Sequence, residues 1–205
     1  MSKLAPPTPA SLSHQERATL RWVLGVVAAC VGGVAVLLVG LGLVLPNHWN
    51  VTREVLVHAP SADVHALVSN WRAWETWARD PGDDPTLQYS YIGPETGVGA
   101  VRTYVGKYAG TGRSEIVKSD PTTGAAFVSA VRSEANNAHG AITYRPQGGS
   151  TLVIWNDQGT IDSFFGVFLR ANVEDELTKY MDRSLQRLKS QAEERASSQA
   201  GQQTP

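Results

Sequence analysis

The longest apolar run, Trp22 to Leu45 (WVLGVVAACVGGVAVLLVGLGLVL), has no charge over about 24 residues. One helix of that length crosses a hydrocarbon core of roughly 30 Å. Residues 1–21 before it are rich in Pro, Ser and Ala with no apolar period, which predicts a disordered tail. Beyond it the period falls to two. Val51, Val55 and Val57 share one parity within Trp49–His58, the signature of a strand with one buried face.

Ala59-Pro60 breaks that strand, and Ser61 is placed to cap a short helix, Ala62–Ser69, with Val64, Leu67 and Val68 on its apolar side. Trp71, Trp74 and Trp77 follow at three-residue spacing, which puts the three rings on one side of a helical turn. Period two then returns in Thr86–Ile92, Ala100–Lys107, Gly112–Ser119, Ala125–Glu134, His139–Arg145 and Thr151–Asp157. Turn residues such as Gly93-Pro94, Asp120-Pro121 and Gly148-Gly149 separate them, which predicts an antiparallel meander. Finally Val173, Leu177, Tyr180, Met181, Leu185 and Leu188 fall at helical spacing, with Asn172 placed to cap. This helix should run about 20 residues, some 30 Å, and bury its stripe on the sheet. The chain divides into a tail (1–21), a transmembrane helix (22–45), one domain (46–190) and a polar, disordered end (191–205).

The flanks of the apolar run decide its orientation. Lys3, Arg17 and Arg21 precede it and only Arg53 closely follows, so the positive-inside bias keeps the N-terminus cytoplasmic and the domain outside the inner membrane. A cleaved signal is the rival reading, but the run exceeds a signal's apolar core and Val44-Leu45-Pro46-Asn47 lacks a small-x-small site. Val27-Ala28-Ala29-Cys30 resembles a lipobox, yet more membrane-like sequence follows Cys30 instead of a polar tether. Gly25, Ala29 and Gly33 recur every four residues, and through them a second copy of the helix is a candidate partner.

Composition removes several function classes. Of 18 Lys+Arg and 19 Asp+Glu, only Lys3, Arg17, Arg21 and Glu16 precede Pro46, leaving a slightly acidic domain unsuited to nucleic acid. The one cysteine, Cys30, lies in the apolar run, so the domain has no disulfide and no thiol nucleophile. Asp80, Asp83 and Asp84 match no calcium loop, and His58, His65 and His139 lie on separate elements, so no metal is expected. Gly97-Val98-Gly99 lacks a third glycine and a following helix, and no Gly-x-Ser-x-Gly elbow exists. No cofactor is expected either.

The ordered set of elements resembles the START/Bet v 1-like (SRPBCC) superfamily, in its polyketide cyclase/dehydrase and lipid transport branch. The residues that carry the resemblance begin with the Pro46 exit from the anchor, Val55-Leu56-Val57-His58-Ala59-Pro60 with Val64, the three tryptophans and Asp80-Pro81. They continue with Gly93, Gly97-Val98-Gly99-Ala100, Gly110-Thr111-Gly112, Gly149-Ser150-Thr151 with Val153 and Trp155, and Leu185 with Leu188-Lys189. Tyr104 and Ser184 depart from the family's frequent tryptophan and glycine. The resemblance implies an α+β helix-grip fold, a curved antiparallel sheet around a long C-terminal helix, with a cavity for an apolar or amphipathic ligand. It implies no shared catalytic residue, and fold alone does not fix activity.

The expected cavity wall is Trp74, Trp77, Tyr89, Tyr91, Tyr104, Phe127, Tyr144, Trp155 and Tyr180. For the tryptophans, packing of the short helices onto the sheet is the favoured reading over a ligand role, and Trp77 is the choice if one reaches ligand. Arg102, Glu115 and Arg132 are charges within strands and are expected on the outward face. A buried one would mark the cavity's polar end, with Glu115 and Arg132 the candidates. The leading expectation is a membrane-tethered binding module for a hydrophobic small molecule or lipid. A cyclase/aromatase-like enzyme and a structural or stress-related membrane interaction protein are the alternatives.

Overall fold

The structure is a computed structural model that describes residues 14–44, 48–79, 84–131, 137–161 and 166–202. The chain forms two compact units, Met1–Leu45 and Pro46–Pro205. The first contains helix α1 (His14–Val44), so residues 14–21 of the expected tail belong to a helix and the remainder lie outside the described residues. Within α1, Arg21–Gly40 is long and apolar enough to cross a membrane, and none of its side chains is buried against the chain. A helix of this kind near an N-terminus serves as an anchor or as a signal sequence.

The second unit runs β1 (His48–Val57), α2 (Ser61–Val68), α3 (Trp71–Trp77), β2 (Gln88–Ile92), β3 (Val101–Gly106), β4 (Gly110–Asp120), β5 (Gly124–Val131), β6 (Ala138–Gln147), β7 (Ser150–Thr160) and α4 (Gly166–Gln202). The seven strands form one antiparallel sheet in the order β1-β7-β6-β5-β4-β3-β2. The first strand pairs with the last because the two short helices carry the chain across the sheet before the meander starts. This is the α+β helix-grip arrangement, with α4 packed on β1 and the short helices.

Alternation along the strands assigns the gripping face. Val51, Val55 and Val57 on β1, Val153 and Trp155 on β7, and Ile142 and Tyr144 on β6 are buried on one parity, as are Phe127 on β5 and Ile116 on β4. Opposite them, Met181, Leu185, Leu188 and Ala192 of α4 are buried at helical spacing. Val173, Leu177 and Tyr180, nearer the start of the helix, are only partly covered.

Three local expectations need correction. Asn172 does not cap α4, which begins at Gly166 and runs 37 residues. Ser61 does not cap α2: Pro60 occupies that position, and its carbonyl accepts from the Asp63 N–H at 3.1 Å. Nor does the polar end begin at residue 191, because α4 continues to Gln202. Ala192 is fully buried, the Glu193 carboxylate accepts from the His58 N–H at 2.7 Å, and Arg195 lies 3.6 Å from Asp63. Alanine and charged residues make these contacts, so packing continues where large apolar residues stop.

Candidate functional site: an aromatic wall with charged ends

The site is built on α3. Asn70 caps this seven-residue helix, its side chain accepting from the Arg72 N–H at 2.9 Å. The three-residue spacing then turns Trp71, Trp74 and Trp77 to the sheet, where all three are buried. Each indole N–H finds a carbonyl: Trp71 donates to Ala100 at 3.0 Å, Trp74 to Val68 at 2.8 Å and Trp77 to Leu67 at 3.4 Å. The rings are therefore fixed at both ends.

These rings meet the sheet's own aromatics. Trp74 lies 4.7 Å from Trp71, 4.4 Å from Trp77, 5.3 Å from Phe127 and 5.5 Å from Trp155, and Trp155 lies 5.8 Å from Tyr180 of α4. Glycine makes room for this wall. A Cβ at Gly140, cross-strand from Phe127, would stand 2.1 Å from the Phe127 ring. A Cβ at Gly112 would stand 2.3 Å from the ring of Tyr104.

Register locates the polar groups of the same face. One row runs Ile116, Phe127, Gly140, Asp157 and Val51; the next runs Arg102, Ser114, Ser129 and Ala138. Ser114 and Ser129 are buried, with their hydroxyl oxygens 2.9 Å apart. The Arg102 guanidinium stands 4.7 Å from the Trp71 ring centre, 5.7 Å from Trp74 and 5.4 Å from Tyr89. Asp157 lies four strands away, roughly 19 Å along the sheet at about 4.8 Å per strand, so the two do not pair. Burial pushes the Asp157 carboxyl up to about 7, against the opposing hydrogen bond from the Gln158 N–H. Among the described residues, three covered polar atoms have no hydrogen-bond partner: Arg102 Nε, Trp155 Nε1 and Ser184 Oγ.

The expected residues fall into distinct places. Trp74, Trp77, Phe127 and Trp155 pack in the buried core with Tyr180 against them, and Tyr89 and Tyr104 meet edge to face at 6.4 Å beside it. Tyr91 packs on α3, with its hydroxyl donating to Glu75 and Arg72 lying 4.3 Å over its ring. It also lines a pocket of about 320 Å³ with Trp71, Arg72 and Glu95, and burial with the Glu75 hydrogen bond raises its pKa. Tyr144 braces the α2 end of the sheet: its hydroxyl lies 3.3 Å from His65 Nδ1, and burial raises its pKa. Glu115 takes the outward face expected of a charge within a strand, and so does not mark a polar end of the inner face. It follows Ser114 in the strand, so it points to the opposite face, where it pairs with Arg113 at 2.6 Å. Arg132 lies outside the described residues.

Arg102 is a correction, since it lies among the inward rings and not on the outer face. It alternates with Val101 and Thr103, and β3 contains no pure apolar parity from which its direction could be read. Asp157 escaped notice because it ends an apolar strand and looks like a boundary residue. Its parity with Val153 and Trp155 was the available signal.

Comparison with known proteins bears on the fold and the family. The chain is similar to the Zhui aromatase/cyclase from Streptomyces sp. R1128 (TM-score 0.56, 15% identity, covering 72% of this chain and 95% of that one). It is also similar to protein CV1439 from Chromobacterium violaceum (TM-score 0.52, 13% identity, 70% and 96%). A third is TTHA0849 from Thermus thermophilus (TM-score 0.51, 16% identity, 70% and 96%). At these identities the likeness shows the fold. No curated protein matches the chain. Residues 48–193 match the family described as polyketide cyclase / dehydrase and lipid transport, and the chain belongs to that SRPBCC family.

Proposed function

We propose that the domain binds a hydrophobic small molecule or lipid between the inner face of the sheet and α4, and that α1 tethers it to the inner membrane with the domain outside. The observation that carries the binding reading is the wall of Trp71, Trp74, Trp77, Phe127 and Trp155 beside buried polar atoms without partners. Such atoms cost free energy until something bonds them, and native proteins keep few. An amphipathic molecule offers both an apolar body for the rings and polar atoms for these groups.

The test is native mass spectrometry of the full chain released from membranes. A bound molecule of reproducible mass is the expected result; repeated recovery of the bare chain mass would defeat the reading. Labelling of single cysteines on each side of α1 in intact cells, in a C30S background, tests the topology. Labelling of the domain side by a membrane-impermeant reagent is expected.

A second reading has one observation in its favour. Asp157 holds a proton near neutrality on the inner face, the condition for a group that gives and takes protons. The structurally similar Zhui protein is called an aromatase/cyclase. An enzyme of that type would accumulate its substrate when Asp157→Asn removes proton transfer. The molecule recovered with D157N would then differ in mass from that recovered with the parent chain.

A further inference from the structure

We infer that the ligand is an amphipathic anion whose carboxylate or phosphate is taken by Arg102 against the Trp71, Trp74 and Tyr89 rings. This rests on the binding reading above and adds the ligand's charge. Arginine cannot shed its proton, so the charge stays wherever the side chain is placed. Here the guanidinium stacks among three rings and its Nε is fully covered without an acceptor. The side chain is half-buried, and the rings beside it offer π faces but no lone pair for Nε. An oxyanion would supply that acceptor and a counter-charge together.

None of the neighbouring carboxylates among the described residues supplies one. Glu75 is held by the Tyr91 hydroxyl, Glu115 is on the other face with Arg113, and Asp157 is four strands distant. By contrast Arg53, on the same face, already has Asp182. Its partners in register are uncharged, Ser114 on one side and Tyr91 on the other, and Glu75, bonded to Tyr91, makes no ion pair with it. A planar fork above flat apolar walls suits an oxyanion on an apolar body.

The test uses the full chain in phosphatidylcholine nanodiscs and equilibrium dialysis against empty nanodiscs. The probes are 1-naphthoate, 1-naphthyl phosphate and the uncharged 1-naphthamide. At least one anion is expected to bind roughly tenfold tighter than the amide, the size of one charge-assisted hydrogen bond. Arg102→Gln should abolish that preference and leave the amide unchanged, while Arg102→Lys should retain part of it. Whichever anion binds better separates a carboxylic acid from a phosphate headgroup. Equal binding of amide and anions to the parent chain overturns the inference and leaves the binding reading standing; this comparison needs no variant to fold. Loss of all three probes in R102Q to the same degree also overturns it. Absence of binding by every probe overturns it too, and the co-purification experiment then judges the broader reading separately.

Discussion

Arg53 of β1 grips Asp182 of α4 with two prongs, Nε to Oδ1 at 2.6 Å and a terminal nitrogen to Oδ2 at 2.9 Å. Arg53 stands in register with Trp155, so the pair fastens the helix to the sheet edge level with the aromatic wall. Both side chains are more than 40% exposed, at 42% and 44%, which keeps the pair in the weak, screened class. A double-mutant cycle of R53Q and D182N should give a coupling of about 0.5–1 kcal/mol, shrinking in high salt. Hydrogen exchange should rise mainly in α4 around Asp182. A coupling of zero at low salt would remove the pair from the account of how α4 is held.

Phe127 and Gly140 are one packing unit, because the ring occupies the space of the missing side chain. Gly140→Ala should cost about 1–3 kcal/mol by displacing the ring. Phe127→Ala should cost about 3–5 kcal/mol through lost burial. Combined, they should cost less than their sum by about 1 kcal/mol or more, since the new methyl fills part of the vacated space. Urea unfolding of the four proteins measures it, and strict additivity would contradict the geometry.

Trp74 and Trp155 differ in one bond. The Trp74 N–H donates to Val68, while the Trp155 N–H has no partner. Both Trp→Phe changes lose similar ring area, so W74F should be the more destabilising by about 1 kcal/mol, the net worth of a hydrogen bond. If a ligand uses the Trp155 N–H, W155F should instead weaken ligand retention. Unfolding and native mass measurements on the same two variants separate these effects.

Asp157 gives a pH dependence of definite sign. Its folded pKa, about 7, lies above the ordinary value of 3.8 because burial disfavours the charge. Between those values the folded chain holds a proton that the unfolded chain has lost. This group's contribution is therefore most favourable below about pH 4, falls as pH rises toward 7, and is level above it. Asp157→Asn should remove the slope and be the more stable protein at pH 8 by roughly 2–4 kcal/mol. Thermal unfolding at several pH values checks this; a D157N chain that parallels the parent throughout would contradict it.

His65 carries the opposite sign. Burial lowers its pKa below 6.5, opposed by the charge of Asp120, while its ring nitrogens face Tyr144 and Ser119. The unfolded chain binds the proton more readily, so stability from this group is complete above its ordinary pKa and declines as pH falls below it. Adding H65Q to D157N should flatten the remaining loss below pH 6.5, read by the same thermal scans.

The order of elements was legible in local patterns along the chain. Period two in Val51, Val55 and Val57, the three-residue spacing of the tryptophans, and the helical stripe through Met181, Leu185 and Leu188 are local rules. Local rules survive in a linear string because each depends on neighbours a few residues away. The direction of Trp71, Trp74 and Trp77 was legible for the same reason. Tertiary structure alone decided which charges face inward. Arg102 and Glu115 occupy consecutive mid-sheet strands and look alike in sequence, yet register sends one among the rings and the other to Arg113. It also decided how far α4 runs, since Glu193 and Arg195 are held by His58 and Asp63, more than 100 residues distant in the chain. Burial of a charge is a property of the assembled sheet and helix, so no spacing within one strand encodes it.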